Sequence, residues 1–155
     1  MGKRCAIAIV NHSRQPLELN LATVQTVVDS ALAEEGILDV QLSVLLVDDA
    51  ESGRLHREHF KDDQPTDVMT FPDGSRDPET GLRLLGDLAV GVEVAMRVAR
   101  ERDRRVEDEL CLYILHGVLH ILGYDDQEEA QARWLWNVQR RHMAAVGIEI
   151  GAEPS

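Results

Sequence analysis

The amino-acid sequence predicts an α+β fold, in which a single compact domain holds one small mixed four-stranded sheet and about five helices. Most of the predicted strands precede most of the predicted helices, which favours this class. The 155 residues, 44% of them hydrophobic, suffice for one domain with a buried core. A helix predicted over 106–122 is apolar on nearly all sides, so we expect it to be buried and central. We assign residues 1–150 to the domain and 151–155 to a frayed tail.

The N-terminal elements alternate between strand and helix. A short apolar run ends near Asn11, which is typical of a strand. Apolar residues then recur at helical spacing between Asn20, a good helix N-cap, and Gly36, a helix stop. A second apolar run ends at Asp48, and a short helical pattern follows it. These patterns predict strands over 4–11 and 41–47 and helices over 20–34 and about 50–60.

Proline, glycine and other turn-forming residues separate the later elements. Pro65 precedes a short strand and Pro72 closes it, and a strand begun by proline is expected at a sheet edge. Residues 72–81 are turn formers throughout, so we expect a mobile loop there. The remainder of the chain is one further strand and then helices. The patterns predict strands over 67–71 and 82–90 and helices over about 92–103, 106–122 and 127–145.

Charge and composition limit the possible functions. A formal net charge of −12 argues against a protein that coats nucleic acid, but it leaves room for a nuclease with a local basic patch. The arginines between 97 and 105 alternate with acidic residues, so we interpret them as a solvated helix face and loop. No run approaches the roughly 20 apolar residues that span a bilayer. The amino terminus has no small-residue cleavage site, and we predict a cytoplasmic protein without membrane association.

The pair His116 and His120 is the strongest functional signal. Positions i and i+4 share one face of a helix, so both imidazoles can approach one point. Gly123 can end the helix and turn the chain back, which would return Asp126 as a third ligand. Two histidines and a carboxylate with a fourth position open are typical of a catalytic zinc site. We therefore predict one Zn²⁺ per chain, with another divalent transition metal as the alternative.

The third ligand is less constrained than the histidine pair. Asp126 lies six residues after His120, the spacing that the long zinc-protease signature uses for its third histidine, and we favour it. Asp125 competes for the role, and both carboxylates are also suited to cap the following helix. Cys111 lies on another side of the predicted helix, and we interpret Cys5 and Cys111 as buried small hydrophobic residues rather than ligands.

Gly117 occupies the position at which zinc proteases carry a general-base glutamate. Glycine inside a helix costs about 1 kcal/mol relative to alanine, so a small side chain is evidently needed there. Without the glutamate, peptide hydrolysis is disfavoured. A small zinc metalloendopeptidase remains the alternative to our preferred interpretation, a metal-dependent hydrolase of another class.

Three segments together resemble one known family. They are His-Gly-Val-Leu-His-Ile-Leu-Gly-Tyr-Asp at 116–125, Pro-Thr-Asp-Val-Met-Thr-Phe-Pro at 65–72 and Leu-Gly-Asp-Leu at 85–88. In combination they resemble the YbeY family of bacterial metal-dependent endoribonucleases. The match runs in order from the first strand to the last helix and covers most of the chain.

The resemblance implies a compact α+β fold, a zinc ion held by three side chains, and single-strand-specific RNA cleavage. It implies a role in 3′-end maturation of small-subunit 16S rRNA and in ribosome quality control. The implied partners are single-stranded rRNA and ribosomal subunits, with ribosomal-protein or GTPase partners. The first two family ligands correspond to His116 and His120, and the third, a histidine in the family, corresponds to Asp126. A non-catalytic ribosome-associated factor with a structural metal site is a further alternative.

The sequence departs from the family pattern near the predicted cleft. An aspartate ligand at 126 would make the metal a weaker Lewis acid and would change which metal the site prefers. Many members carry an arginine, proposed to act in catalysis, where this chain has Phe60, and Arg57 or Lys61 could substitute for it. Members often have asparagine where this chain has His56.

The predicted edge strand beside the metal could align an extended substrate. We expect Asp67 and Thr70 to orient the site through hydrogen bonds rather than to act directly in catalysis. The Tyr124 hydroxyl could donate to a substrate oxygen or pack beneath the ligand turn. The predicted catalytic residues are thus Tyr124 and Asp125, and the predicted substrate cleft consists of Thr66, Asp67, Thr70, Arg57 and His56.

Overall fold

The computed structural model of the protein describes residues 5–60 and 66–153. Within these residues the chain forms a four-stranded sheet and five α-helices, so the α+β prediction is confirmed. The strands are β1 (Ala6–Asn11), β2 (Val40–Val47), β3 (Val68–Pro72) and β4 (Arg83–Gly91). The helices are α1 (Leu21–Glu34), α2 (Asp49–Phe60), α3 (Val92–Glu101), α4 (Val106–Ile121) and α5 (Glu129–Ala144).

The sheet is mixed, with the strand order β1-β2-β4-β3. Strands β1, β2 and β4 run parallel, and β3 pairs antiparallel with β4 at the edge. The register places Leu88 of β4 between Val44 of β2 and Thr70 of β3. The position of β3 at the edge agrees with its proline-flanked sequence, because proline cannot donate a hydrogen bond to a neighbouring strand.

Helix α4 is the centre of the core, as its apolar sequence predicts. It contacts β3, β4 and the helices α1, α3 and α5. The side chains of Leu110, Ile114, Leu115 and Val118 are completely buried. Full burial of such a side chain contributes about 1.5–3 kcal/mol to stability. This packing fixes the helix, and so it fixes the polar side chains that the helix carries toward its C-terminal end.

Gly117 lets α4 approach the sheet closely. A Cβ atom on Gly117 would lie 2.7 Å from Cδ2 of Leu88 and 3.1 Å from Cγ2 of Val68. The first distance is shorter than van der Waals contact, so any side chain at this position would push the helix off the sheet or displace Leu88. The close packing of the helix on the sheet therefore explains the small residue that the sequence indicates here.

The two cysteines are free thiols, and both are buried. Burial raises the pKa of each thiol to about 12, so both stay protonated at neutral pH. A protonated thiol is a poor metal ligand, which agrees with their expected role as small hydrophobic residues. Among the residues that the structure describes, no helix is both long and apolar enough to cross a bilayer.

Candidate metal centre

His116 and His120 lie one turn apart near the C-terminal end of α4. Their Nε2 atoms are 2.8 Å apart, and the two rings meet edge to face with their centroids separated by 4.3 Å. Both side chains are partly exposed, at 21% and 25%. Since the rest of the helix is anchored in the core, the two imidazoles are held at the edge of the protein with one nitrogen of each facing the same point.

The turn after α4 has the hydrogen bonds of a Schellman motif. Gly123 adopts a φ of +103°, and its N–H donates to the carbonyl of His120 at 3.0 Å. The N–H of Tyr124 donates to the carbonyl of Leu119 at 3.1 Å. Because L-residues with a side chain rarely adopt such a φ, glycine is the natural residue at this position. The turn reverses the chain directly after the second histidine.

The reversed chain returns Asp126 to the histidine pair. Its Oδ2 atom lies 3.6 Å from Nε2 of His116 and 3.7 Å from Nε2 of His120. Asp125 holds this turn, because its Oδ1 accepts the N–H of Asp126 at 2.7 Å and that of Gln127 at 3.3 Å. Helix α5 begins two residues later than predicted, at Glu129, so neither aspartate caps it.

The three side chains form a cluster with the geometry of a metal site. One ligand atom from each of His116, His120 and Asp126 lies within 4.8 Å of the others, and this is the one such group among the described residues. Ligands about 2.0–2.1 Å from a tetrahedral zinc ion are roughly 3.3 Å apart, close to the observed separations. Two imidazole nitrogens and a carboxylate oxygen suit zinc and other divalent transition metals. The carboxylate side of the cluster is open, since the Asp126 side chain is 41% exposed.

Gln139 fixes the orientation of His116, and no sequence motif marks this glutamine. The amide oxygen Oε1 of Gln139 lies 2.5 Å from Nδ1 of His116, and Gln139 is only 2% exposed on α5. Because an amide oxygen only accepts, Nδ1 carries the proton, and the lone pair of Nε2 faces the cluster. In the sequence, the only indication of this role was the presence of a glutamine on the buried face of the last helix.

Burial favours the neutral form of His120. Burial lowers the pKa of His120, and the neighbouring His116 lowers it further, whereas the carboxylates of Asp126, Asp125 and Asp67 act in the opposite direction. The net effect is a pKa below the ordinary value for histidine. Neutral imidazole is the form that binds a metal, so the site is prepared for a cation near neutral pH.

The structure gives the two predicted catalytic residues other contacts. The hydroxyl of Tyr124 donates to the carboxylate of Glu35 next to the end of α1, and its ring lies 5.0 Å from that of Trp134. The carboxylate of Asp125 accepts backbone N–H groups of the ligand turn. Both residues thus support the turn that carries Asp126, and a direct role in catalysis stays a prediction.

Two of the predicted cleft residues lie beside the cluster. Thr66 and Asp67 line a cavity of about 490 Å³ that His116 and Asp126 also line. The carboxylate of Asp67 accepts the N–H of Val68 at 2.7 Å and the hydroxyl of Thr66 at 3.3 Å. These bonds hold Asp67 in place at the start of β3, and its role in orienting the site stays a prediction.

The other predicted cleft residues lie elsewhere. Thr70 pairs with Leu88 inside the sheet, and His56 and Arg57 belong to α2. None of these three is among the described residues that line the cavity. The Phe60 side chain, Lys61 and Pro65 lie outside the part of the chain that the structure describes.

The fold and the cluster together define the class of this protein. It is an α+β protein whose candidate metal centre lies on a buried helix and on the turn that follows it. The histidine pair comes from the helix, the carboxylate comes from the turn, and the supporting amide comes from the neighbouring helix.

Comparison with known proteins identifies the family. The family model described as Endoribonuclease YbeY matches residues 9–147. The chain belongs to the YbeY family, whose members are named as endoribonucleases and thus as hydrolytic nucleases. The resemblance drawn from the three sequence segments is therefore confirmed.

Several relatives named Endoribonuclease YbeY are similar to this chain. The protein from Anaeromyxobacter dehalogenans is 43% identical over 121 residues, which are 78% of this chain and 61% of the relative. The protein from Protochlamydia amoebophila is 32% identical over 88% of this chain and 92% of the relative. The protein from Aquifex aeolicus is 40% identical over 69% of this chain and 73% of the relative. The chain thus spans less than two thirds of the first relative and nearly all of the second.

A solved structure shares the fold. The solution structure of TM1509 from Thermotoga maritima superposes with a TM-score of 0.59 at 25% sequence identity. The superposition covers 90% of this chain and 88% of the other. The likeness therefore extends over the whole α+β unit rather than over the histidine-bearing helix alone.

Proposed function

We propose that this protein is a single-strand-specific, zinc-dependent endoribonuclease that acts in rRNA processing in the cytoplasm. Its role is 3′-end maturation of small-subunit 16S rRNA and ribosome quality control, with ribosomal subunits and ribosomal-protein or GTPase partners. The observation that carries the proposal is the cluster of His116, His120 and Asp126 in a chain of an endoribonuclease family. The relatives' names support the RNA substrate, and the donor set supports the metal.

The chain's own residues account for the site as follows. Nε2 of His116, Nε2 of His120 and Oδ2 of Asp126 would hold the metal, since their separations fit its coordination. Bound zinc would supply Lewis acidity, which favours both the deprotonation of water near neutral pH and negative charge on a phosphoryl oxygen. With a divalent cation bound, Asp126 would neutralise one of its two positive charges, and the remaining positive charge would favour a phosphodiester nearby.

The residues around the ligands prepare the site. Gln139 keeps the His116 ring in one tautomer and one orientation. The backbone bonds of Asp125 hold the turn that carries Asp126. Thr66 and Asp67 form one wall of the adjoining cavity, where a strand of RNA can lie next to the cluster.

The packing of Gly117 counts against a metallopeptidase. The general base of zinc proteases stands at this position, but here the α-carbon faces Leu88 and Val68 of the sheet. A glutamate at this site would enter the core rather than reach the cluster. No other carboxylate in the described part of α4 follows the first histidine, because the helix continues as Val118, Leu119, His120 and Ile121.

Cleavage assays on defined RNAs test the proposal. Zinc-loaded protein should cut a single-stranded RNA with the small-subunit rRNA 3′ sequence and leave the same sequence intact when it is annealed to its complement. His116→Ala and His120→Ala should each abolish cutting, and the exposed His12→Ala should not. Equal cleavage by the wild type and both cluster variants would show that a contaminating nuclease or another site is responsible.

Two further measurements separate the alternatives. Turnover of unstructured peptides without turnover of RNA would identify a metalloendopeptidase. Binding to ribosomal subunits that survives loss of both histidines, without any cleavage by the wild type, would identify a non-catalytic factor.

A further inference from the structure

We propose that the cavity beside the cluster binds the base of a nucleotide adjacent to the cleaved phosphodiester, and that it prefers amino-bearing bases over uracil. This inference rests on the proposed function for its RNA substrate. The binding of the base itself requires neither the metal nor cleavage, so it can be tested separately.

The cavity has the size and position that a base subsite needs. Its volume of about 490 Å³ lies within the range of small-molecule sites. One face of α4 forms its floor, since Glu109, Leu112, Tyr113 and His116 follow one another at helical spacing. His116 and Asp126 at one end belong to the metal cluster, so a ligand in the cavity adjoins the phosphate that the cluster would hold.

The walls of the cavity suit a flat aromatic ring. Trp136 of α5 and the buried Tyr113 of α4 both line it, together with aliphatic side chains of α3 and α5. The indole N–H of Trp136 donates to the carbonyl of Gly151 at 2.9 Å, which holds that ring in place. Aromatic side chains stack on every base, and such stacking is a general device for binding single strands.

The floor of the cavity carries a buried charged pair. Glu109 is 1% exposed, and its Oε1 lies 2.8 Å from Nη1 of Arg104, whose side chain is 17% exposed. Arg104 also donates to the carbonyl of Ile150. Arg104 is therefore mostly buried, whereas the sequence indicated a solvated run of arginines between 97 and 105. A buried carboxylate of this kind keeps its acceptor oxygens fixed without any ligand.

The charge of the lining decides between a base and a second phosphate. Among the described residues, the lining contains the carboxylates of Asp67, Glu109, Asp126 and Glu153 and the cationic side chain of Arg102, and Arg104 balances Glu109, so acidic groups remain in excess. A phosphate placed away from the metal would therefore be repelled. A neutral ring with N–H donors matches the surplus of acceptors, and adenine, cytosine and guanine each carry an amino group that uracil lacks.

The two tryptophans provide a test with a matched control. The chain contains only Trp134 and Trp136. Trp136 lines the cavity, and Trp134 is 50% exposed and stacks near Tyr124 outside it. The Trp134→Phe variant therefore reports fluorescence from the cavity, and the Trp136→Phe variant reports fluorescence from the surface. Neutral nucleosides serve as probes, because they contain no phosphate and cannot be cleaved.

Adenosine and cytidine should quench the tryptophan fluorescence of the Trp134→Phe variant in a saturable way. They should do so at concentrations about tenfold lower than uridine requires, because one hydrogen bond changes affinity by roughly this factor. The Trp136→Phe variant should show no saturable quenching. Absence of saturable quenching in the Trp134→Phe variant, or equal quenching in both variants, would overturn the base site. Equal affinity for the three nucleosides would overturn the stated preference.

Cleavage then separates this inference from the proposed function. If the wild type cuts RNA, Trp136→Leu should reduce the preference for cutting next to amino-bearing bases, and Trp134→Leu should leave it unchanged. An unchanged preference in Trp136→Leu would overturn the base site while leaving the endoribonuclease intact. If the wild type cuts no RNA, the proposed function fails, and the fluorescence result still decides whether the cavity binds a base.

Discussion

Nδ1 of His116 on α4 and Oε1 of Gln139 on α5 lie 2.5 Å apart, and Gln139 is almost completely buried. This contact joins a candidate metal ligand to a helix that supplies no ligand itself. It determines which ring nitrogen carries the proton, and it leaves Nε2 as the nitrogen that faces His120 and Asp126. The last helix therefore contributes to the metal centre by controlling the tautomer and direction of His116.

The first prediction concerns Gln139. Gln139→Leu should lower zinc affinity by about 10–100-fold, the usual effect of losing a hydrogen bond to a ligand histidine. Gln139→Glu keeps an acceptor at the same place and should retain most of the affinity. Competition with a chromophoric chelator measures both values. If the leucine variant is folded and binds zinc as tightly as the wild type, Gln139 has no positioning role.

The second prediction separates the two neighbouring aspartates. Asp125→Asn preserves a side-chain oxygen that can accept the N–H groups of Asp126 and Gln127, so zinc content should be retained. Asp125→Ala removes these bonds and should weaken zinc binding moderately by loosening the turn. Asp126→Ala should remove a ligand and weaken it far more. If Asp125→Asn loses zinc as severely as Asp126→Ala, Asp125 is itself a ligand.

The third prediction concerns the contact between α4 and the sheet. Gly117→Ala should lower the free energy of unfolding by about 1–3 kcal/mol, the typical cost of overpacking, although alanine is the better helix former. The reason is the 2.7 Å approach of a new Cβ to Leu88. Urea unfolding of Gly117→Ala, Leu88→Ala and the double variant tests this.

In the Leu88→Ala background the added methyl group meets a smaller side chain. The penalty for Gly117→Ala should therefore be smaller there than in the wild type. Equal penalties in the two backgrounds would mean that Leu88 is not the source of the strain.

The fourth prediction is a pH dependence of stability that comes from His142. This side chain is buried, with Nδ1 3.0 Å from the hydroxyl of Ser30 and Nε2 3.2 Å from the carboxylate of Glu34. Burial lowers its pKa, and the attraction of Glu34 offsets this only in part. The unfolded chain therefore binds a proton at a higher pH than the folded chain does, and stability rises with pH in this range.

The contribution of His142 to stability should be fully present above about pH 6.5, the ordinary pKa of histidine. It should be lost progressively as the pH falls below that value. Urea midpoints measured between about pH 5 and 8 should decline on the acidic side. The decline should be smaller in His142→Gln. An identical pH profile in this variant would assign the effect to other groups.

The local part of the site was predictable from the sequence. His116 and His120 share a helix face by spacing alone, and Gly123 ends that helix in the Schellman turn that returns Asp126. The edge position of β3 was equally predictable, because Pro72 has no N–H to donate to a neighbouring strand. These features depend on residues within about ten positions of one another.

The parts that depend on tertiary packing were not predictable. Gln139 meets His116 only because α5 packs on α4, and no motif links residues 23 positions apart. The resemblance to the family suggested His56 and Arg57 as cleft residues and the strand pattern suggested Thr70, but in the described chain none of the three lines this cavity, and their role in the cleft stays a prediction. Trp136 and Glu109 do line the cavity. They could not be predicted because the packing of the whole core determines which faces of α4 and α5 meet there.

Zinc stoichiometry tests the central claim most directly. Protein incubated with zinc and freed of excess metal should hold one ion per chain, as measured by elemental analysis. His116→Ala, His120→Ala and Asp126→Ala should each lose most of that zinc while remaining folded, and His12→Ala should keep it. Retention of one tightly bound zinc ion per chain in the folded His116→Ala and His120→Ala variants would contradict the assignment of the metal centre.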